Sequence, residues 1–163
     1  MHVVLHQPEI PQNTGNVGRT CVAVGAKLWL VRPLGFRLDE KHLRRAGMDY
    51  WQHLSYEVVD DWATLRRKLE GVRMWAVEGG EPGEGRAAWD AELGGEDAYV
   101  FGSEGRGLPR SILEELPGRR IWLPMRPEVR SLNLASTVNT IAYEVVRQSE
   151  SARRPQPDQG GGA

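Results

Sequence analysis

Short apolar runs recur along the chain at intervals that fit buried strands separated by helices. Val3-Val4-Leu5, Leu28-Trp29-Leu30-Val31, Met74-Trp75-Ala76-Val77, Ala98-Tyr99-Val100-Phe101 and Ile121-Trp122-Leu123 are near-continuous apolar segments of strand length. Strands covered on both faces read this way. Tyr56 to Val59 reads as a further strand. Between these runs helical spacing takes over. Val17, Cys21 and Val24 share one face of a helix expected from Asn16 to Val24. Asp39 can cap a helix ending at Gly47, and Asp60 or Asp61 can cap another ending before Gly71. Pro109 suits the first turn of a helix carrying Ile112, Leu113 and Leu116. The longest helix starts near Asn133 and repeats Leu134, Val138, Ile141 and Val145 on one side. Strand alternating with helix predicts an α/β fold with a mainly parallel sheet flanked by helices. Residues 1–150 are expected to form a single domain. Gly79 to Gly95, rich in Gly and Glu, is expected as a surface loop with a short turn around Trp89. The tail 151–163, with Arg153-Arg154-Pro155 and three consecutive glycines, is expected to be disordered.

Composition narrows the function classes. With 40% hydrophobic and 26% charged residues the chain is globular in type. One cysteine, Cys21, rules out an internal disulfide framework, and no set of Cys and His has structural-zinc spacing. No apolar run reaches the length of a membrane span. The N-terminal Met1 to Leu5 lacks the features of a signal peptide and reads as a first strand, so a cytoplasmic protein is expected. The net charge of −1 announces no nucleic-acid partner, but the charges are unevenly spread. Arg32, Arg37, Lys41, Arg44 and Arg45, with His42, form a basic stretch. Glu78, Glu81, Glu84, Asp90, Glu92, Glu96 and Asp97 form a mostly acidic one. Each fits a solvated face as well as a partner surface.

Three stretches carry more polar side chains than turns alone need. The first, Gln7 to Thr20, holds Pro8 and Pro11 in a stiff loop, with Asn13, Thr14 and Asn16 available as helix caps. Arg19 then falls in the first turn of the expected helix, where its charge opposes the macrodipole, which points to a ligand such as phosphate. The second, Gly102-Ser103-Glu104-Gly105-Arg106-Gly107-Leu108-Pro109, lets the backbone turn sharply after a buried strand and bring its amides close to a ligand. It follows a late strand and lacks the glycine spacing of a dinucleotide fold, and the chain has no P-loop. In the third, Leu123 to Ala135, Ser131 and Asn133 are both good caps; one cap suffices, which frees the other to bind. The four histidines are scattered and neighbour no plausible nucleophile, so no catalytic triad is expected. Cys21 falls on an apolar helix face, and Trp51 is the tryptophan expected to be exposed enough to stack on a base.

Taken together, Pro8 to Asn16 with Arg19, Phe101 to Glu104 with Gly107-Leu108-Pro109, and Ile121 to Met125 with Arg130-Ser131-Leu132-Asn133-Leu134 resemble the SpoU branch of the SPOUT methyltransferases. Pro33 to Phe36 and Leu43 to Tyr50 also resemble its subfamily acting on the wobble ribose of tRNA. One departure is visible: Gly105 stands where that subfamily often has Thr. The resemblance, which runs from about Val3 to Gln148, implies a C-terminal deep trefoil knot. Threading rules alone would have discounted that feature. It implies S-adenosylmethionine as methyl donor, held at Val77, Gly102, Leu123 and Ser131, and no metal, since a sulfonium is already a good leaving group. It further implies a homodimer in which Arg19 reaches the partner's donor site. Arg19 would act there with Asn13, Glu104, Ser131 and Asn133. A guanidinium does not readily lose a proton, so clamping a phosphate or orienting the hydroxyl is physically easier for Arg19 than general-base duty. Arg32, Arg37, Lys41, Arg44 and Arg45 would then face tRNA. With a 2′-hydroxyl as target, DNA should not be a substrate. Two other readings stay open here: a sibling enzyme modifying another tRNA or rRNA ribose, and an RNA-binding relative without catalysis. The position of the mark separates the first, and donor binding separates the second.

Overall fold

The computed structural model describes residues 1–37, 49–79 and 85–153. Seven strands form one sheet in which every pairing is parallel: β1 (His2–His6), β2 (Lys27–Val31), β3 (Tyr56–Val59), β4 (Met74–Gly79), β5 (Arg86–Ala87), β6 (Ala98–Phe101) and β7 (Arg120–Leu123). Their order across the sheet is β3-β2-β1-β6-β4-β7-β5. Four helices are described: α1 (Pro11–Val24), α2 (Trp62–Lys68), α3 (Arg110–Glu115) and α4 (Leu134–Arg153). Short 3-10 turns lie at Asp49–His53 and Ala88–Asp90.

The alternation of side chains along the strands builds two separate cores. Val3, Leu5, Leu28, Leu30, Tyr99 and Phe101 face α1 and α4, meeting Val17, Cys21, Val138 and Ile141. Val4, Trp29, Val31, Met74, Ala76 and Val100 face the other way, onto Leu65 of α2 and Ile112 of α3. The apolar runs are continuous because each central strand is covered on both sides. Cys21 lies wholly within the first core, and burial pushes its thiol up to about 12.

Several expectations shift. The first helix begins at Pro11, not Asn16. Ile10 is extended and Pro11 takes the first helical position, where a missing N–H costs nothing. Asn13, Thr14 and Asn16 therefore lie inside the helix rather than capping it, and Arg19 sits in its third turn, away from the positive end of the macrodipole. Trp51 is buried, 7% exposed, beneath α1, where its ring lies against Gly18. It cannot stack on a base. Asp97 belongs to no solvated acidic face: it is buried and accepts from Arg73, Trp75 Nε1 and the Gly94 amide. The segment from Gly79 contains the two-residue strand β5 as well as the turn around Trp89. Asp61 caps α2, accepting the Thr64 amide at 2.7 Å. The expected tail start at Ser151 falls within α4, which runs to Arg153. The helix expected between Asp39 and Gly47, together with Lys41, Arg44 and Arg45, lies outside the described residues.

Candidate active site

In a parallel sheet all strands end at one edge, and the loops leaving that edge can converge on a ligand. Here the carboxyl ends of β4, β6 and β7 open into a cavity of about 560 Å³. Val77 is in register with Phe101 and Ile121, and Gly79 with Leu123, so those strands end at nearly one level. Val77, Gly102, Leu123 and Ser131 all line the cavity, as do Asn13, Glu104 and Asn133. Residues separated by more than a hundred positions thus share one pocket. Arg19 does not line it. Arg19 is exposed on α1, with its guanidinium 4.9 Å from the centre of the Tyr50 ring. Tyr50 in turn donates its hydroxyl to the Gly15 carbonyl at 2.8 Å. Of the basic stretch, Arg37 is exposed and Arg32 lies 3.6 Å from Asp60, an exposed pair of small energetic weight.

The glycine loop folds tightly on itself. The Gly107 amide donates to the Ser103 carbonyl at 2.9 Å, and Gly107 has φ +69°. A Cβ on Gly102 would lie 2.0 Å from the Gly107 carbonyl carbon. The loop so closed borders the cavity from Gly102 to Gly105 and again at Gly107 and Leu108.

Glu104 joins this loop to α1. Its carboxylate accepts the Glu9 amide at 2.8 Å, the Ile10 amide at 3.2 Å and the Asn13 side-chain amide at 2.9 Å. Ile10, the N-cap residue, has no side chain that can cap; Glu104 instead fixes the main chain entering α1 and places a carboxylate at the helix N-terminus. Glu9 returns the contact by accepting the Gly105 amide at 3.1 Å. Gly105, where the resembling subfamily often has Thr, therefore contributes through its main chain. The relay continues: Asn133 Nδ2 donates to Asn13 Oδ1 at 2.9 Å, while Asn133 Oδ1 accepts the Ala135 and Ser136 amides. Asn133 is thus the cap of α4, and Ser131 is the free one of the two possible caps. Glu9 and Tyr50 were not singled out by sequence reasoning. Their roles depend on partners far along the chain, and nothing local marks them.

This relay makes a stability prediction. Glu104→Ala removes the acceptor for three N–H groups and should cost about 2 kcal/mol. In a thermal melt that is a fall in Tm of about 4–8 °C. Glu104→Gln, which keeps one carbonyl acceptor, should recover part of the loss. An unchanged melt for Glu104→Ala would remove that anchoring role.

The sequence matches the SpoU rRNA Methylase family over residues 1–143. A protein of Burkholderia cenocepacia named tRNA (cytidine(34)-2′-O)-methyltransferase is 47% identical over 151 residues, covering 91% of this chain and 95% of its own. A protein of the same name from Methylovorus glucosotrophus is 44% identical, covering 92% and 96%. Among solved structures, one described as "Structural insights into the 2-OH methylation of C/U34 on tRNA" superposes with a TM-score of 0.84 at 44% identity, over 92% of this chain and 96% of that one. The SpoU methyltransferase AviRb of Streptomyces viridochromogenes, solved in complex with AdoMet, has a TM-score of 0.75 at 25% identity, over 93% of this chain and 58% of that one. The parallel α/β architecture, the loops gathered at its carboxyl edge and a match over most of the length agree: the chain belongs to the SpoU rRNA Methylase family.

Proposed function

We propose that this protein transfers the methyl group of S-adenosylmethionine to the ribose 2′-hydroxyl of the wobble nucleotide, cytidine or uridine, in a tRNA anticodon. The observation that carries the proposal is the convergence of Val77, Gly102, Leu123 and Ser131 with Asn13, Glu104 and Asn133 on one cavity at the sheet's carboxyl edge. The names of the relatives above direct it to the wobble ribose.

The residues fit such a donor. The cavity is in the size range of small-molecule sites and mixes apolar walls with a few polar groups. The glycine loop offers main-chain amides and carbonyls to an adenine, and a Cβ at position 102 would force its tight return open. When bound, the donor supplies an electrophilic methyl on a positively charged sulfur. The chain's own residues do the rest. Val77 and Leu123 exclude water from one wall. Ser131 presents a free hydroxyl at the cavity. Asn13, Glu104 and Asn133 hold the first loop, the glycine loop and the start of α4 in fixed relation, so the acceptor ribose meets a prepared geometry. No resident metal is part of this reading.

Arg19 lies outside the cavity of its own subunit, which supports a homodimer in which it serves the partner's site. There it clamps a phosphate or orients the 2′-hydroxyl as a permanent cation. A trefoil knot is supported by the chain path: β7 lies beyond β4, and α4 returns from it to pack on α1, while loops 102–108 and 124–133 border the same cavity. Arg32, Arg37, Lys41, Arg44 and Arg45, the basic stretch of the sequence, serve RNA phosphates in this reading, so binding weakens with salt. No helix among the described residues is long and apolar enough to cross a membrane, and action on tRNA suits the cytoplasm.

The test is direct. Purified protein, labelled donor and tRNA isolated from cells lacking this protein should yield a 2′-O-methyl mark at the wobble nucleotide by nucleoside mass spectrometry. A mark placed elsewhere would transfer the activity to another ribose. Absence of any mark, with no calorimetric binding of S-adenosylhomocysteine, would sink the enzymatic reading.

A further inference from the structure

We infer that Arg130 is an anion-binding residue of this cavity, pairing with an anionic oxygen of a ligand: the donor's carboxylate or a phosphate of the RNA backbone. The inference rests on the donor-site reading above.

The charges around the cavity motivate it. Among the described lining residues there are two carboxylates, Glu78 and Glu104, and a single cation, Arg130. Glu104 is committed to three N–H donors, and Glu78 is already partnered. Arg130 is exposed and has no ion pair or hydrogen bond with a described residue. A bare surface arginine means little by itself. This one differs in where its backbone is held. Pro124 and Pro127 stiffen its loop, a turn bonds the Val129 amide to the Arg126 carbonyl at 3.0 Å, and Asn133 anchors the loop's far end at α4. The Arg130 carbonyl lies 3.6 Å from where a Cβ on Gly79 would stand, so the main chain rests on the end of β4. The side chain is free while its root is fixed at the cavity mouth, beside the free hydroxyl of Ser131.

Both ligands of the proposed reaction bring anionic oxygens to this place. Glu104 is bonded to neutral N–H groups, so Arg130 is the described lining residue that can offset its charge toward an anionic oxygen. A guanidinium can offer a planar pair of N–H donors to a carboxylate or phosphate, and it stays charged at every relevant pH.

Calorimetry and kinetics on wild type, Arg130→Gln and Arg130→Lys test the inference and separate the two sources. The probes are S-adenosylhomocysteine, 5′-methylthioadenosine (which lacks the amino-acid part) and tRNA. If the partner is the donor's carboxylate, Arg130→Gln weakens S-adenosylhomocysteine about tenfold or more, leaves methylthioadenosine unchanged, and Arg130→Lys restores part of the loss. If it is a phosphate, both small-molecule affinities hold, KM for tRNA rises about tenfold, and the salt dependence of RNA binding loses about one phosphate's worth of slope. An Arg130→Gln protein equal to an active wild type in donor affinity, KM and salt slope overturns the inference and leaves the donor-site reading standing. A wild type that binds neither small molecule and methylates nothing overturns both.

Discussion

Alanine at position 19 is expected to cut methyl transfer by about a hundredfold or more, the scale of losing one placed charge or donor at a reacting centre. Affinity for S-adenosylhomocysteine should stay within about a factor of two of wild type, since a group that does not touch the donor contributes little to its binding. Arg19 does not line the donor cavity of its own subunit, so removing it leaves Val77, Gly102, Leu123 and Ser131 where they are. Its guanidinium rests on the Tyr50 ring at 4.9 Å, and Tyr50 is itself bonded to the α1 main chain. That arrangement holds a cation at a set height above α1, with no ion pair to an acid among the described residues. Loss of the ring contact at an exposed site should cost only about 0.5–1 kcal/mol, so the melt should barely move. Arg19→Lys keeps the charge but not the planar fork, and should fall between the two. Mixed dimers of Arg19→Ala with a donor-site variant would carry one intact composite site, and recovery of part of the activity is expected if Arg19 serves the partner. A fully active Arg19→Ala protein would remove Arg19 from the chemistry altogether.

The strands were legible because burial on both faces leaves a continuous apolar run, a signal that needs no knowledge of the neighbours. The start of α1 was not. Pro8 and Pro11 look alike in sequence, yet Pro11 is the first helical residue and Pro8 lies outside. The carboxylate that holds the entry to this helix belongs to Glu104, more than ninety residues away, so no local pattern announces it. With α1 starting at Pro11, Arg19 stands clear of the helix's positive end, and no macrodipole cost falls on it. The site residues were reached through the resemblance of three motifs. Residue chemistry alone leaves Ser131 and Asn133 as interchangeable caps, and the bonds from the Ala135 and Ser136 amides to Asn133 Oδ1 separate them. Asp97 shows the same limit in reverse. It sits in a run of acids along the chain, but folding carries it inward, to Arg73 and Trp75, while other acids of the run stay at the surface.

Gly102→Ala should abolish measurable donor binding, a loss of about a hundredfold or more, and lower stability by about 2–3 kcal/mol as overpacking does. The reason is steric and not conformational, because Gly102 does not occupy the left-handed region that Gly107 needs. An added Cβ would stand 2.0 Å from the Gly107 carbonyl carbon, 2.3 Å from the Leu108 nitrogen and 2.4 Å from the Gly107 oxygen. All three are main-chain atoms, and neither strand of the loop can give way easily. Gly107 is bonded to Ser103, and Leu108 is buried in the second core. Relief must come from opening the loop, which moves the amides proposed to hold the donor and pulls Glu104 from the end of α1. Gly105→Ala is the contrasting variant. Its Cβ would meet Glu9 Oε2 at 2.9 Å, the far end of a flexible side chain that can turn aside. It should bind S-adenosylhomocysteine within about tenfold of wild type, since turning Glu9 aside gives up its exposed bond from the Gly105 amide, worth about 1 kcal/mol. Calorimetry and thermal melts on the two variants give both readouts. A folded Gly102→Ala protein that binds the ligand normally would mean the donor lies elsewhere than on this loop. If both variants fail equally, the loop is intolerant of any side chain, and the special demand placed on position 102 disappears.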